Sequence, residues 1–300
     1  MGYRKEEIIS SVKDVVYFLS QEIGSRSYRA IHTLDKAAEY ISQRFIIYGY
    51  DVSYQTYKHG GNVYKNIIAE IRGKGFPETV IVIGAHYDTV YGTPGADDNA
   101  SGIAGLLEVA RLLSGSAFNK TVRFVAFAFE EFPAFFSDYM ASYVYARHLR
   151  QKNEDVELMI CLEMIGYFRD EADSQRFPLP FFKWFYPHEG DFIVVVGDMK
   201  ARRFVSQIKH AFREGSALAV ESITAPRWIP GITFSDHKSF WKFGYDAVMI
   251  TDTAFYRNPN YHKHSDTPDT LCYNSMAEVV LGLVSAIGVL AGSSWSDKEG

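Results

Sequence analysis

Two hydrophobic patterns alternate along the chain. Apolar positions recur at helical spacing in one, and in the other they run continuously until a charged residue stops them. Residues 5–23 place Ile8, Ile9, Val12, Val15, Val16 and Leu19 on one helical face. Residues 33–47 repeat the pattern with Leu34, Ala37, Ala38, Tyr40, Ile41 and Phe45, with Thr33 as a candidate cap and Gly49 just past the end. Residues 51–57 and 63–71 alternate as strands around a Gly60-Gly61 turn and predict an antiparallel pair. Residues 80–85 are a β-branched run, which predicts a strand buried on both faces. Beyond it the pattern predicts helix 100–113, strand 122–129, helix 139–150 and strand 156–162. An irregular aromatic stretch, 167–191, is followed by strand 192–196, helix 200–212 and a loop at 223–235. A short helix from Ser235, strand 247–251, a loop at 252–270 and a last helix, 275–290, complete the chain.

Strands alternating with helices imply an α/β fold: one mixed, mostly parallel β-sheet flanked by helices on both faces. No repeat, low-complexity tract or linker divides the chain, so residues 1–300 are expected to form one domain. A hydrophobic fraction of 47% is enough for a sizeable core. The net charge of −5, with 36 acids and 31 bases well mixed, gives no electrostatic reason to expect nucleic acid. Cys161 lies in an apolar run and Cys272 in a loop, so neither a disulfide framework nor a cysteine zinc site is legible. No apolar run reaches the ~20 residues of a membrane span. The amphipathic N-terminus is unlike a signal peptide. That favours the cytoplasm, or the periplasm or exterior if a leader has been removed.

The chemistry gathers at strand ends. Strand 80–85 ends at His86, with Asp88 two residues on, and a Gly/Pro loop then delivers Asp97, Asp98 and Asn99. Alone, His-x-Asp is an ordinary surface pair and Asp-Asp-Asn an ordinary helix cap. But strand 122–129 stops at Glu130-Glu131, strand 156–162 stops at Glu163, and strand 247–251 feeds a loop holding His262 and His264. In a parallel sheet those ends share one edge. Two imidazoles with several carboxylates and no thiolate suit zinc in a catalytic site, or manganese or cobalt in the same cage. The acidic excess fits two divalent ions better than one, with a carboxylate such as Asp98 as bridge. One of Glu130 and Glu131 can ligate while the other acts as general base or acid.

Taken in order, His86-Tyr87-Asp88, the GADDNASG of 95–102, Glu130-Glu131, LEMIGY at 162–167, SDH at 235–237 and YHKHSDTPDTL at 261–271 resemble the zinc exopeptidases. That family includes the bacterial double-zinc aminopeptidases, glutamate carboxypeptidase and glutaminyl cyclase. The resemblance covers residues 63–290. It implies that His86, Asp98 and Glu163 hold one Zn2+ and that Asp98, Glu131 and His262 hold another. It further implies Glu130 as general base, Asp88 as the acceptor orienting the His86 ring, and a cis peptide at Asp98–Asn99. Tyr261 resembles a tyrosine that stabilises the oxyanion in some members, although it could equally pack. Two positions depart from the pattern: Glu163 stands where Asp is frequent, and His264 where proline is frequent. His264 is read as a loop residue, and Asp236-His237 as structural ahead of a supporting role at the site.

The function implied is removal of N-terminal residues from a peptide, with a preference for apolar ones. Three alternatives stand beside it. A glutaminyl-peptide cyclotransferase would use one zinc. A carboxypeptidase for acidic C-termini would need a basic cleft, for which only Arg169, Arg202, Arg203, Arg227 and Arg257 are candidates. A non-enzymatic receptor or scaffold would have lost ligands. The aromatic stretch 167–191 is a candidate pocket wall or lid, or equally core or a subunit contact. His32, His59, His148, His188 and His210 have no comparable setting.

Overall fold

The computed structural model describes residues 4–292; residues 1–3 of the amphipathic N-terminus, and 293–300, lie outside it. Helix α1 (Lys5–Tyr17) passes into a wider turn at Phe18–Ile23, and α2 spans Ile31–Ile47. Strands β1 (Val52–His59) and β2 (Asn62–Ile71) form the expected hairpin. Then come β3 (Phe76–His86), α3 (Gly102–Leu113), β4 (Lys120–Phe127), α4 (Ala141–Gln151) and β5 (Asp155–Leu162). The second half holds β6 (Phe192–Gly197), α5 (Arg202–Gly215), β7 (Ala219–Thr224), α6 (His237–Lys242), β8 (Ala247–Thr251) and α7 (Tyr273–Ala291).

All eight strands lie in one sheet, in the order β1-β2-β4-β3-β5-β8-β6-β7. The middle four, β4, β3, β5 and β8, are mutually parallel, and antiparallel pairs flank them. From β3 the chain crosses to β4 on one side and later to β5 on the other. This reversal opens a crevice beyond the strands' carboxyl ends, where α/β proteins place their ligands. Helices α1, α2, α3, α5 and α7 lie against one another and one face of the sheet, and α4 and α6 cover the other. Strand β3 is fully buried from Ile81 to Ile83 because both layers press on it.

Four features differ from expectation. The hydrophobic pattern predicts no strand at β7; only Ile223 and Thr224 fall within the loop expected at 223–235. The strand's sequence, AVESIT, has neither an apolar run nor clean alternation, because it is an edge strand buried mainly at Val220. Helix α2 starts at Ile31 rather than at Thr33, whose hydroxyl lies 2.6 Å from the Ser25 carbonyl and ties down the preceding loop. Residues 96–101 form a wide turn before α3 instead of its first helical turn, with Asp98 and Asn99 out of helical geometry. Helix α7 is long and apolar enough to cross a membrane by length and composition, whereas no such run was expected. In this fold it packs against α1, α3 and α5.

Candidate metal centre

The crevice is built from the turns that leave the four parallel strands. His86 is the last residue of β3, and Asp88 follows it into the loop. Asp88 links two strands: its Oδ1 accepts the Glu130 N–H at 2.9 Å and its Oδ2 the Glu131 N–H at 3.1 Å. The same Oδ1 lies 3.3 Å from His86 Nδ1, which leaves Nε2 facing the crevice. A carboxylate in contact with the far nitrogen of an imidazole fixes its tautomer and raises its basicity as a ligand.

The acidic loop is held from both sides. Asp266 accepts the N–H of Asp97 at 2.9 Å and of Asp98 at 3.1 Å. Asn99 Oδ1 accepts the Gly102 N–H, the first of α3, at 3.0 Å. Its amide also donates to the Leu162 carbonyl and accepts the Met164 N–H, the two backbone groups flanking Glu163. The Asp98–Asn99 peptide is cis. Asp97 turns inward, accepting from Gly166 N and Asn258 Nδ2. Asp98 faces the crevice.

Two clusters share Asp98. His86, Asp98 and Glu163 each offer a ligand atom within 4.8 Å of the others, and so do Asp98, Glu131 and His262. Asp98 Oδ1 lies 3.5 Å from His86 Nε2, and Asp98 Oδ2 lies 3.1 Å from His262 Nε2. His86 Nε2 is 3.4 Å from Glu163 Oε2, and His262 Nε2 is 3.4 Å from Glu131 Oε2. Only His262 is exposed; the other four are buried.

The electrostatics are those of crowded anions. Burial pushes the Glu130 and Glu131 carboxyls well above the usual carboxylate range, and neighbouring carboxylates add to the effect. Burial alone would lower His86, but Glu163 and Asp88 outweigh it and hold the imidazole well above its ordinary value. Burial acts upward on Asp98, yet His262, His86 and Arg26 hold its carboxyl below the usual range. Glu131 Oε1 is buried without a hydrogen-bond partner, and an unpaired carboxylate oxygen inside a protein is costly unless a cation meets it. Two imidazoles, three carboxylates and that vacant acceptor fit two divalent cations.

The remaining sequence candidates fall into place around this centre. Tyr261 stacks on the His262 ring at 3.7 Å and lines the adjoining cavity with Glu163. His264 belongs to neither cluster. His237 Nε2 lies 2.7 Å from the Ile232 carbonyl, its ring edge-on to Trp241, so it is structural. The cavity, about 840 Å³ including its mouth, is walled by Phe177, Phe182, Tyr186, Val194, Phe234 and Met249. The aromatic stretch therefore divides: Phe177, Phe182 and Tyr186 are wall, Tyr167 and Phe168 are buried, and Trp184 and Phe185 are 74% exposed. Two supporting residues had no role in the sequence reading. Ser235 Oγ donates to Glu163 Oε2 at 2.5 Å, and Asp266 braces the acidic loop. The signal for both was their place inside motifs already singled out, SDH and YHKHSDTPDTL.

Comparison with known proteins places the chain among peptidases. The sequence model of peptidase family M28 matches residues 66–286. The uncharacterized protein YfbL of Escherichia coli K12 is 45% identical over 284 residues, covering 92% of this chain and 86% of that one. Leucine aminopeptidase 1 of Fusarium vanettenii is 27% identical over 256 residues, 78% of this chain but only 58% of the fungal protein. The chain thus spans little more than half of that curated relative. Among solved structures, BSAP, a zinc aminopeptidase from Bacillus subtilis, superposes with a TM-score of 0.74 at 15% identity, covering 94% of this chain and 95% of its own. At that identity the likeness establishes a shared fold.

Proposed function

The chain belongs to peptidase family M28, and on that premise we propose that it is a two-zinc aminopeptidase. Family membership makes peptides its substrate class. The observation that carries the finer reading is the division of Asp98, whose two oxygens face two different imidazoles at 3.5 and 3.1 Å. His86 and Glu163 would hold one cation and Glu131 and His262 the other, with Asp98 a ligand available to both. Zinc bound there supplies Lewis acidity toward the scissile carbonyl and an acidified water.

The chain's own groups do the rest. Glu130 is anchored through its amide to Asp88, so its carboxyl is set beside Glu131 without being one of the ligands. It takes the proton of the attacking water and returns it to the departing amine. Burial and the neighbouring carboxylates, which raise its affinity for a proton, suit it to that transfer. The Tyr261 hydroxyl donates to the developing oxyanion. The free amine of the substrate meets the cleft acids, and its first side chain enters the apolar cavity beside Glu163, which favours apolar terminal residues. Little supports a carboxypeptidase: Arg227 pairs with Asp198 at 2.5 Å, and Arg257 is buried on the Tyr167 and Phe192 carbonyls.

The test is elemental analysis of the purified protein together with a chelator-sensitive assay on free and N-blocked peptides. Two zinc ions per chain and cleavage of free-amine peptides alone are expected. Cleavage of N-blocked peptides at the C-terminus, or cyclisation of glutaminyl peptides with one zinc, would replace this reading.

A further inference from the structure

Arg26 is entirely buried although it is a cation. Its guanidinium donates to five backbone carbonyls: Nε to Tyr87 at 2.9 Å, Nη1 to Leu19, Gly24 and Pro94 at 2.8 to 2.9 Å, and Nη2 to Gly95 at 2.9 Å. Three of those carbonyls belong to the loop between β3 and the acidic turn. Tyr87 sits between His86 and Asp88, while Pro94 and Gly95 lead into Asp97 and Asp98. The backbone completes the clip. Arg26 N donates to Thr89 Oγ1 at 3.0 Å, Thr89 N donates to the Arg26 carbonyl at 3.1 Å, and Gly92 N donates to Ser25 Oγ at 2.9 Å. Gly95 adopts φ +60, and a Cβ there would run into the Asp98 carbonyl and the Thr89 methyl, so the loop is closed tightly on this point.

We propose that Arg26 is a positioning residue that sets the separation of His86 from Asp98, and through it the zinc affinity of the centre, while bonding to neither. The proposal rests on the two-zinc reading above. A planar guanidinium with five N–H groups in a fixed fork can hold both ends of one loop at once. A lysine in its place keeps the charge but has three donors on one atom, so the Tyr87 end and the Pro94–Gly95 end lose their common tie. The clip comes from a segment before residue 66, outside the region that the family model matches.

The experiment is zinc titration against a chromogenic chelator for the wild-type chain, Arg26→Lys and Thr89→Val, with circular dichroism and steady-state kinetics on each. The expected result is a folded Arg26→Lys protein whose zinc affinity is weaker by about 10- to 100-fold. Its lost activity should return as zinc is raised while circular dichroism shows the chain already folded before zinc is added, whereas a destabilised fold would regain structure and activity together. If Arg26→Lys fails to fold, Thr89→Val decides by the same criterion, since it keeps the guanidinium and removes one arm of the clip. Zinc affinity indistinguishable from wild type in the deciding variant overturns the proposal and leaves the two-zinc reading intact. A wild-type chain that binds no zinc overturns both.

Discussion

The Ser235 hydroxyl donates to Glu163 Oε2 at 2.5 Å, the oxygen that also lies 3.4 Å from His86 Nε2. A residue just ahead of α6, more than seventy positions away in the chain, thus aims the carboxylate at the end of β5. The longer side chain of Glu163, against the aspartate frequent in the resembling family, needs this support because it has one more rotatable bond to hold. Ser235→Ala should therefore weaken zinc binding at the His86–Asp98–Glu163 cluster by about tenfold or more. The fold and the second cluster should be unaffected. Site-resolved zinc titration checks it, and equal loss at both clusters would mean that Ser235 acts on the fold as a whole.

Glu130 and Glu131 are adjacent and equally buried, yet only Glu131 falls in a ligand cluster. Glu130→Gln keeps the shape and the amide bond to Asp88 while removing the group that takes the proton. Turnover should fall by about 10²- to 10⁴-fold, the range that proton transfer contributes, with two zinc ions still bound. Near-normal kcat in this variant would send the base assignment elsewhere, with Asp236 next to be examined. That carboxyl is buried and pushed up to about 7, first by burial.

The strand ends were legible because a buried parallel strand is an unbroken apolar run, and a charged residue closing such a run is conspicuous. That logic found His86, Glu130-Glu131 and Glu163. It could not find Ser235, which only the SDH motif marks, or Arg26, whose carbonyl partners in the 87–95 loop lie more than sixty residues away. Nor could it find β7, where packing on one edge allows polar residues such as Glu221 to occupy strand positions. The choice of Asp98 over Asp97 came from resemblance alone. The wide turn at 96–101 is what turns one outward and the other toward Gly166 and Asn258.

Val194 faces the apolar cavity beside Glu163 and is 6% exposed. Val194→Phe places a ring in space that a substrate side chain would fill. Discrimination between leucyl and alanyl peptides should then fall by about tenfold, the scale of a one- or two-carbon difference in an apolar pocket. The loss should appear in kcat/KM for the larger residue, with alanyl peptides nearly unchanged. An equal effect on both substrates would place the first side chain outside this cavity.

His237 should make the fold sensitive to acid. Burial lowers its pKa from 6.5 to about 4, and its ring is held neutral against the Ile232 carbonyl and Trp241. The unfolded chain takes up the proton near 6.5 and the folded chain only near 4, so the unfolded state binds more protons between those values. Stability from this residue is therefore present above pH 6.5 and lost as pH falls toward 4, by about 3 kcal/mol over the interval. Asp236 and Asp266 act with the opposite sign, because burial pushes both carboxyls up to about 7. Their contribution is present below the ordinary carboxylate range and lost as pH rises through 7. Comparison with His237→Gln cancels that background. Denaturant unfolding in the presence of chelator, at pH 7.5 and pH 4.5, should show wild type losing more stability on acidification than the variant does. Parallel losses in the two proteins would mean that His237 carries its proton in the folded state, and that its bond to Ile232 is not the neutral one inferred from its burial.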